Sequence, residues 1–201
     1  MAATRRLLIT LGLAALLPPA LTACDAVQPS AYKAVDITGA EYAQDLGLPD
    51  TEGRVRRIAD FKGQLVVVFF GFTQCPDVCP TTMLELAEVK RAMGADGARV
   101  QGIFVSIDPE RDTPEVLKPY VANFSPDFVA LRGSLDETKD IAKRFKVFYA
   151  KVPGKTEGGY TMDHTAGSYV FDTQGKVRLF TRYGSGAEAL KHDLQLLLQA
   201  R

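Results

Sequence analysis

Leu65 to Phe70 read LVVVFF, an apolar run with no polar position to offer to water. A strand with one solvated face alternates apolar and polar residues. An unbroken run is covered on both faces, as a central strand of a parallel sheet is. The segment that follows, GFTQCPDVCPTTM at residues 71–83, carries Cys75 and Cys79 with three residues between them and a proline after each. The run therefore sets where the thiols fall, in the loop beyond a central strand and at the start of the next helix. In open α/β sheets, ligands bind in the crevice beyond the carboxyl ends of the strands.

The remaining elements follow in an alternating order. Helix is expected from about Pro80, which suits a first turn because its missing N–H has no helical acceptor to lose. Leu84, Ala87 and Arg91 lie on successive turns, and Met83, Leu86, Val89 and Met93 widen that stripe. VQGIFVSID reads as strand, DPERDTPEVLKPYVANF as loop and helix, and FVALRG as a short strand. SLDETKDIAKRF reads as a helix capped by Ser134 or Asp136. FYAKV is strand-like, and KTEGGYTMDH is a glycine-interrupted insertion or hairpin expected to flank the cysteine loop. GSYVFDTQGKVRLFTRYG makes two strands about Thr173-Gln174-Gly175, and AEALKHDLQLLLQA an amphipathic helix. Ahead of the central strand, ITGAEYAQDLGLPDTEGRVRRIADFKG reads as a hairpin leading to a turn at Lys62-Gly63. This order predicts an α/β, thioredoxin-like fold: a central mixed sheet flanked by helices, with an N-terminal hairpin and an inserted loop.

The front of the chain reads differently. Arg5 and Arg6 precede the apolar stretch LLITLGLAALL, and small residues lead to Leu21-Thr22-Ala23-Cys24. The stretch is shorter than the roughly 20 residues a membrane-spanning helix needs. Its ending resembles a bacterial lipobox, which implies cleavage before Cys24 and lipidation of that thiol. Two or more acyl chains anchor a protein stably. Asp25 resembles the residue that retains enterobacterial lipoproteins at the inner membrane. The expected organisation is a lipoprotein signal peptide at 1–23, a lipidated Cys24 with tether and lead-in segment at 24–50, and the thioredoxin-like domain at 51–201, facing the periplasm. The 24 basic residues lose Arg5 and Arg6 on cleavage, leaving 22 against 24 acidic ones. There is no basic patch of the kind nucleic acid requires.

With Cys24 lipidated, Cys75 and Cys79 are the remaining thiols. Outside the cytoplasm such a pair is a structural disulfide, a redox pair or a metal site. A bridge here would close a loop too short to constrain the unfolded chain much, so stability is a poor reason for it. Helix N-terminal amides favour thiolates, which makes both sulfurs reactive or ready as ligands. Two soft thiolates select Cu(I) or zinc over hard ions. The chain has two histidines. His192, in ALKHDLQLLL, reads as a solvated helix residue. His164 stands 89 residues beyond Cys75 and just before the strand GSYVF. In the thioredoxin-like order that segment lies opposite the dithiol, so the imidazole is within reach of it. A Cys75–Cys79–His164 set is soft and low-coordinate and suits copper, with Asp163 a candidate to orient the ring. Ligand atoms around one ion should lie roughly 4 Å apart.

GFTQCPDVCPTTM at 71–83, VSIDPERDTPEVLKPY at 105–120 and DHTAGSYVFDTQGKV at 163–177, in that order, resemble the Sco (SenC) copper-binding assembly proteins of cytochrome c oxidase. The resemblance runs from about Val55 to Leu198. It implies binding of Cu(I) and Cu(II) through Cys75, Cys79 and His164. It also implies delivery of copper to, or reduction of the cysteines of, the Cu(A) centre in oxidase subunit II, or of another periplasmic copper enzyme. Implied partners are that enzyme, a thiol reductant and another copper chaperone as donor. Family members are usually anchored by a transmembrane helix, whereas this chain is expected to use lipid at Cys24. Asp108 to Pro114 (DPERDTP) reads as a loop with Asp112 or Thr113 as cap and Pro114 in the first turn, or as a rim near the metal that meets the partner. The rival to copper handling is a thiol–disulfide oxidoreductase without obligatory metal. It would use Cys75 and Cys79 as a redox-active pair, with Cys75 attacking, and would leave His164 nearly idle.

Overall fold

The apolar run forms strand β4 (Leu65–Gly71), and every residue in it is buried. Each buried Val or Phe side chain there contributes about 1.5–3 kcal/mol relative to exposure. The computed structural model describes residues 31–154 and 159–200. The expected signal peptide, Cys24 and Asp25 lie outside the described residues, as does Lys155 to Gly158 of the insertion.

Around β4 the described chain runs β1 (Val35–Asp36), β2 (Leu48–Pro49), β3 (Val55–Arg56), β4, α1 (Val78–Ala92), β5 (Val100–Ser106), α2 (Pro114–Ala122), β6 (Val129–Leu131), α3 (Leu135–Arg144), β7 (Tyr149–Pro153), β8 (Tyr160–His164), β9 (Gly167–Phe171), β10 (Val177–Arg182) and α4 (Ala187–Gln199). The main sheet has the order β1-β10-β9-β4-β5-β6. β4 pairs in parallel with β5, and β5 with β6. On its other edge β4 pairs antiparallel with β9, Phe69 opposite Ser168 and Val66 opposite Phe171. This is the mixed sheet of a thioredoxin-like fold. Its buried aromatics lie on both faces: Phe69 meets Phe104 on one, and Phe70 meets Phe145, itself against Phe171, on the other.

Local signals explain most boundaries. Ser134 accepts from the Glu137 N–H while Glu137 reaches back to the Ser134 N–H, a reciprocal cap that decides the start of α3 in favour of Ser134. Helix α1 begins at Val78, so Cys79 and Pro80 share its first turn. Its buried face is Met83, Leu86, Ala87 and Val89, whereas Leu84, expected in the stripe, is exposed. The front hairpin is short: β2 and β3 pair over two residues each, and Gly63 completes the turn before β4 at φ +88°. The insertion is a hairpin of its own, β7 against β8, with Tyr149 opposite His164 and Pro153 opposite Tyr160.

The packed unit starts well before residue 51. β1 joins the main sheet through β10, and Ala43, Leu46 and Leu48 are in the core. Ahead of β1, the Lys33 and Ala34 amides donate to the two oxygens of buried Asp193 on α4, at 2.8 and 2.7 Å. Asp193→Ala removes both acceptors. It is expected to lower the unfolding free energy by about 1–3 kcal/mol, measured from denaturant unfolding. An unchanged midpoint would mean that strand pairing alone holds the lead-in segment.

Candidate metal centre

Antiparallel pairing sets the beginning of β9 beside the end of β4. Three residues before β9, at the end of β8, stands His164; four residues after β4 stands Cys75. The Cys75 amide donates to Phe72 O at 3.2 Å, which turns the loop back toward the strand. Cys79, in the first turn of α1, is fully buried, while Cys75 is half-buried. The Cys79 N–H donates to Cys75 Sγ at 3.3 Å. Gly71 makes room for this arrangement. A Cβ there would lie 2.8 Å from the Phe69 ring and 2.9 Å from both Cys79 Sγ and the Phe104 ring.

His164 closes the group from the other side. Its Nδ1 lies 3.0 Å from the Thr165 carbonyl oxygen, and its Nε2 lies 3.6 Å from Cys79 Sγ. A carbonyl only accepts, so Nδ1 carries the ring proton and Nε2 turns its lone pair toward the sulfur. The Phe69 and Phe72 rings meet the imidazole edge-on at 5.9 and 6.0 Å and keep it from turning. One ligand atom from each of Cys75, Cys79 and His164 lies within 4.8 Å of the others, somewhat wider than the roughly 4 Å expected around one ion. Two sulfurs and a neutral imidazole nitrogen make a soft donor set that fits a copper or zinc ion.

The two thiols differ in proton affinity. The Cys79 thiol donates to Cys75 and pulls it down to about 4; burial opposes this, and the Cys79 and Asp77 amides assist. The same contact, together with burial, pushes Cys79 up. The pair thus holds one proton, on the buried sulfur, beside a more accessible Cys75 thiolate.

A carboxylate beneath the loop fixes its start. Asp112 is fully buried and accepts the Thr73 and Ser106 hydroxyls, each at 2.6 Å, and the Thr73 amide at 3.2 Å. Burial holds its carboxyl above the ordinary carboxylate range despite these bonds. Asp112 is therefore no helix cap; Thr113 occupies that position without a side-chain cap bond, and Pro114 opens α2. Asp163 is exposed, and it is the Thr165 main chain that orients His164. His192 is exposed on α4, with Nδ1 3.0 Å from Asp193 Oδ1. Gly71 and the Thr165 carbonyl carry roles that the motifs did not assign, and Asp112, expected as a cap or rim residue, lies beneath the cysteine loop instead. Gly71, a lone glycine closing an unbroken apolar run before a cysteine motif, carried a signal of close approach.

A thioredoxin-like sheet with two thiols at a helix start and an imidazole on the facing segment defines a domain able to hold a soft metal ion or to exchange disulfides. The SCO1/SenC family model matches residues 35–199, from the start of β1 to the end of α4. The chain is 38% identical over 133 residues to an SCO2-like protein of Rickettsia felis, covering 66% of this chain and 65% of that one. It thus spans just under two thirds of that relative's length. Copper-bound ScoI of Bradyrhizobium japonicum superposes with a TM-score of 0.68 at 40% identity, covering 77% of this chain and 98% of that one. A SCO1/SenC family lipoprotein of Bacillus anthracis gives 0.62 at 25% identity, covering 78% and 98%. The chain belongs to the SCO1/SenC family, as its three motifs led one to expect.

Two outcomes follow from the geometry. At pH 6 an alkylating reagent should modify Cys75 and spare Cys79, as read by peptide mass spectrometry. Because the Cys75 thiolate exists above about pH 4, its reactivity should already be on its plateau there, and Cys79→Ala, which removes the donor, should move the onset toward higher pH. Equal labelling of both thiols would contradict the assignment. Gly71→Ala should destabilise the fold by about 1–3 kcal/mol through overpacking and displace Cys79, checked by unfolding together with metal titration.

Proposed function

We propose that this protein is a membrane-anchored periplasmic copper chaperone that assists assembly of the Cu(A) centre of cytochrome c oxidase. The observation that carries this reading is the His164 Nε2 lone pair facing Cys79 Sγ at 3.6 Å, with Cys75 in the same cluster. A lone pair set against the two sulfurs is a ready third donor to a soft ion. Membership of the family and the copper held by the Bradyrhizobium relative support copper as cargo.

Cys75, Cys79 and His164 are the proposed ligands. Two thiolates satisfy Cu(I), which accepts low coordination; Cu(II) calls in addition for the imidazole nitrogen. One site can then carry both valences, with His164 deciding how well the oxidised ion is held. Cargo would pass to partner thiolates by exchange of sulfur ligands, favoured by the accessible position of Cys75. A thiol reductant is implied, because only the reduced pair binds and the periplasm is oxidising. Anchoring is proposed through lipid on Cys24, at the inner membrane. The LTAC motif supports this, as does the lipoprotein description of the Bacillus relative. No helix among the described residues is long and apolar enough to cross a membrane.

The uneven dithiol favours a second reading, a thiol–disulfide reductase. The Cys75 thiolate would attack a partner disulfide and release one partner sulfur as a thiolate. Cys79, passing its proton to the His164 Nε2 lone pair 3.6 Å away, would then attack Cys75 Sγ and displace the second partner sulfur. The products are a partner dithiol and a Cys75–Cys79 disulfide, which the reductant restores.

Anaerobic titration of the reduced protein separates the readings. The chaperone reading expects one Cu(I) or one Cu(II) per chain. His164→Ala should weaken Cu(II) by about 100-fold or more, with loss of the sulfur-to-copper charge-transfer band, and should affect Cu(I) far less. A protein that bound neither valence yet reduced disulfides would sink it. For the anchor, mass spectrometry of the mature N-terminus should find a diacylglyceryl group on Cys24. A mature chain beginning elsewhere, without lipid, would overturn that part.

A further inference from the structure

One guanidinium joins the two halves of the candidate site. Arg111 Nη1 donates to Gln74 Oε1 at 3.0 Å, one residue before Cys75. The same nitrogen donates to the Tyr160 main-chain oxygen at 2.8 Å, four residues before His164. Its Nε donates to Asp108, whose other oxygen accepts the Tyr160 hydroxyl at 2.8 Å. The guanidinium carbon also lies 3.6 Å from the centre of the Tyr160 ring and 5.9 Å from that of Phe72. Asp108 is 1% exposed and the Arg111 side chain 19%, while Arg111 Nη2 is buried without a partner. Taking a guanidinium out of water and leaving a donor unused is costly. What the placement accomplishes is a bridge between the cysteine loop and the histidine hairpin.

That hairpin stands apart from the main sheet and meets the core through Met162. β7 and β8 pair with each other and take no part in the main sheet. At its base, Thr165 bonds the Phe148 main chain in both directions, which ties the hairpin only to itself. Along β8, Tyr160 holds one end and His164 the other, roughly 13 Å apart at the rise of an extended strand. The bonds made at Tyr160 therefore help to set where the strand that carries the imidazole lies, together with Met162 between them in the core. The other tie from the hairpin to the same loop is the Lys151–Glu110 ion pair, whose side chains are about half exposed, at 47% and 46%, and such pairs contribute little.

We propose that Arg111 is a positioning residue that sets the gap between the Cys75 loop and the His164 strand, and so sets the preference of the site between a two-sulfur ion and one that also needs the imidazole. The proposal rests on the copper reading above. Two thiolates come from one side of the gap and are independent of its width. The nitrogen comes from the other side and depends on it. Loosening the bridge should weaken Cu(II) and leave Cu(I) nearly untouched.

The test uses Arg111→Gln in the purified full chain. Cu(I) is measured in competition with a colorimetric Cu(I) chelator, and Cu(II) in competition with glycine. Cu(II) affinity should fall about tenfold or more, in the range set by losing a group that orients a ligand, with a weakened charge-transfer band and a Cu(I) affinity within about threefold of wild type. Arg111→Lys should not restore Cu(II), since an ammonium lacks the planar fork that serves Asp108, Gln74 and Tyr160 together. In the metal-free protein, amide hydrogen exchange of Tyr149–Pro153 and Tyr160–His164 should speed up about tenfold in Arg111→Gln while β4 keeps its protection. Equal weakening of both valences, full rescue by lysine, or unchanged hairpin exchange would each overturn the proposal. Should Arg111→Gln fail to fold, Tyr160→Phe keeps the ring and deletes only the hydroxyl bond to Asp108. It should shift Cu(II) and hairpin exchange in the same direction by a smaller factor, and no shift in either would be equally decisive against the bridge. Were the wild-type chain to bind no copper, the function proposed above would fall, while hydrogen exchange would still decide whether Arg111 holds the gap.

Discussion

β4 is hydrogen-bonded along both edges, in parallel to β5 and antiparallel to β9. A strand buried on both faces and paired on both edges has no freedom to slip, because a one-residue shift would turn every side chain to the wrong layer. Its two neighbours run in opposite senses, so the loop after β4, the loop after β5 and the lead into β9 all emerge at one end of the sheet. Cys75 lies in the first, the Asp108 to Asp112 run in the second, and His164 in the third. Residues far apart in sequence meet there because strand direction leaves them nowhere else to go. Gly71, at the end of β4, then decides how closely they meet by leaving the space that Cys79 Sγ uses.

The donor set follows from a division of labour between the two cysteines. Cys79 is fixed by α1 and closed off from water; Cys75 rides on a loop and is half-buried. Such a pair is uneven before any ion arrives, one sulfur a thiolate and the other a thiol. Unevenness suits a nucleophile and its resolving partner, and it also suits a metal pocket that opens at one ligand. The dithiol alone therefore serves either chemistry. His164, with its proton committed to the Thr165 carbonyl and its lone pair turned inward, adds to the two sulfurs the nitrogen donor that a metal site would use.

Much of this was legible in the chain because the signals were local or periodic. The unbroken LVVVFF run announced β4, the alternation of strands and helices announced the fold, and the thiol spacing with His164 before an apolar strand announced the trio. Other features depend on contacts that leave no local trace. Leu84 fits a helical stripe on paper, yet the face α1 buries is set by where the sheet lies. Asp112 has the residue type and position of a cap; the hydroxyls of Thr73, 39 residues earlier, and of Ser106 draw it inward. Asp163 was the adjacent acid a reader would choose to steer His164, but a main-chain oxygen, which no sequence can flag, does so. Residues 33–50 are polar and irregular enough to read as a tether, although the Asp193 carboxylate and β1 bind one end into the domain and buried Leu46 and Leu48 the other.

The DPERDTP run shows why a loop can be more constrained than the strand that precedes it. Parallel strands must open their loops on the same end of a sheet, so the loop after β5 lies under the loop after β4 without any specific attraction. Once there, its polar groups are sealed from water and must be satisfied by whatever surrounds them. Asp112 finds Thr73 and Ser106; Asp108 finds Arg111 and Tyr160. Thr73 and Tyr160 belong to the segments that carry Cys75 and His164. Satisfying buried charge and holding the site open at a set width are therefore one requirement here. A substitution in this loop that kept the fold but freed one partner would be felt first as a change in how the thiols and the imidazole face each other.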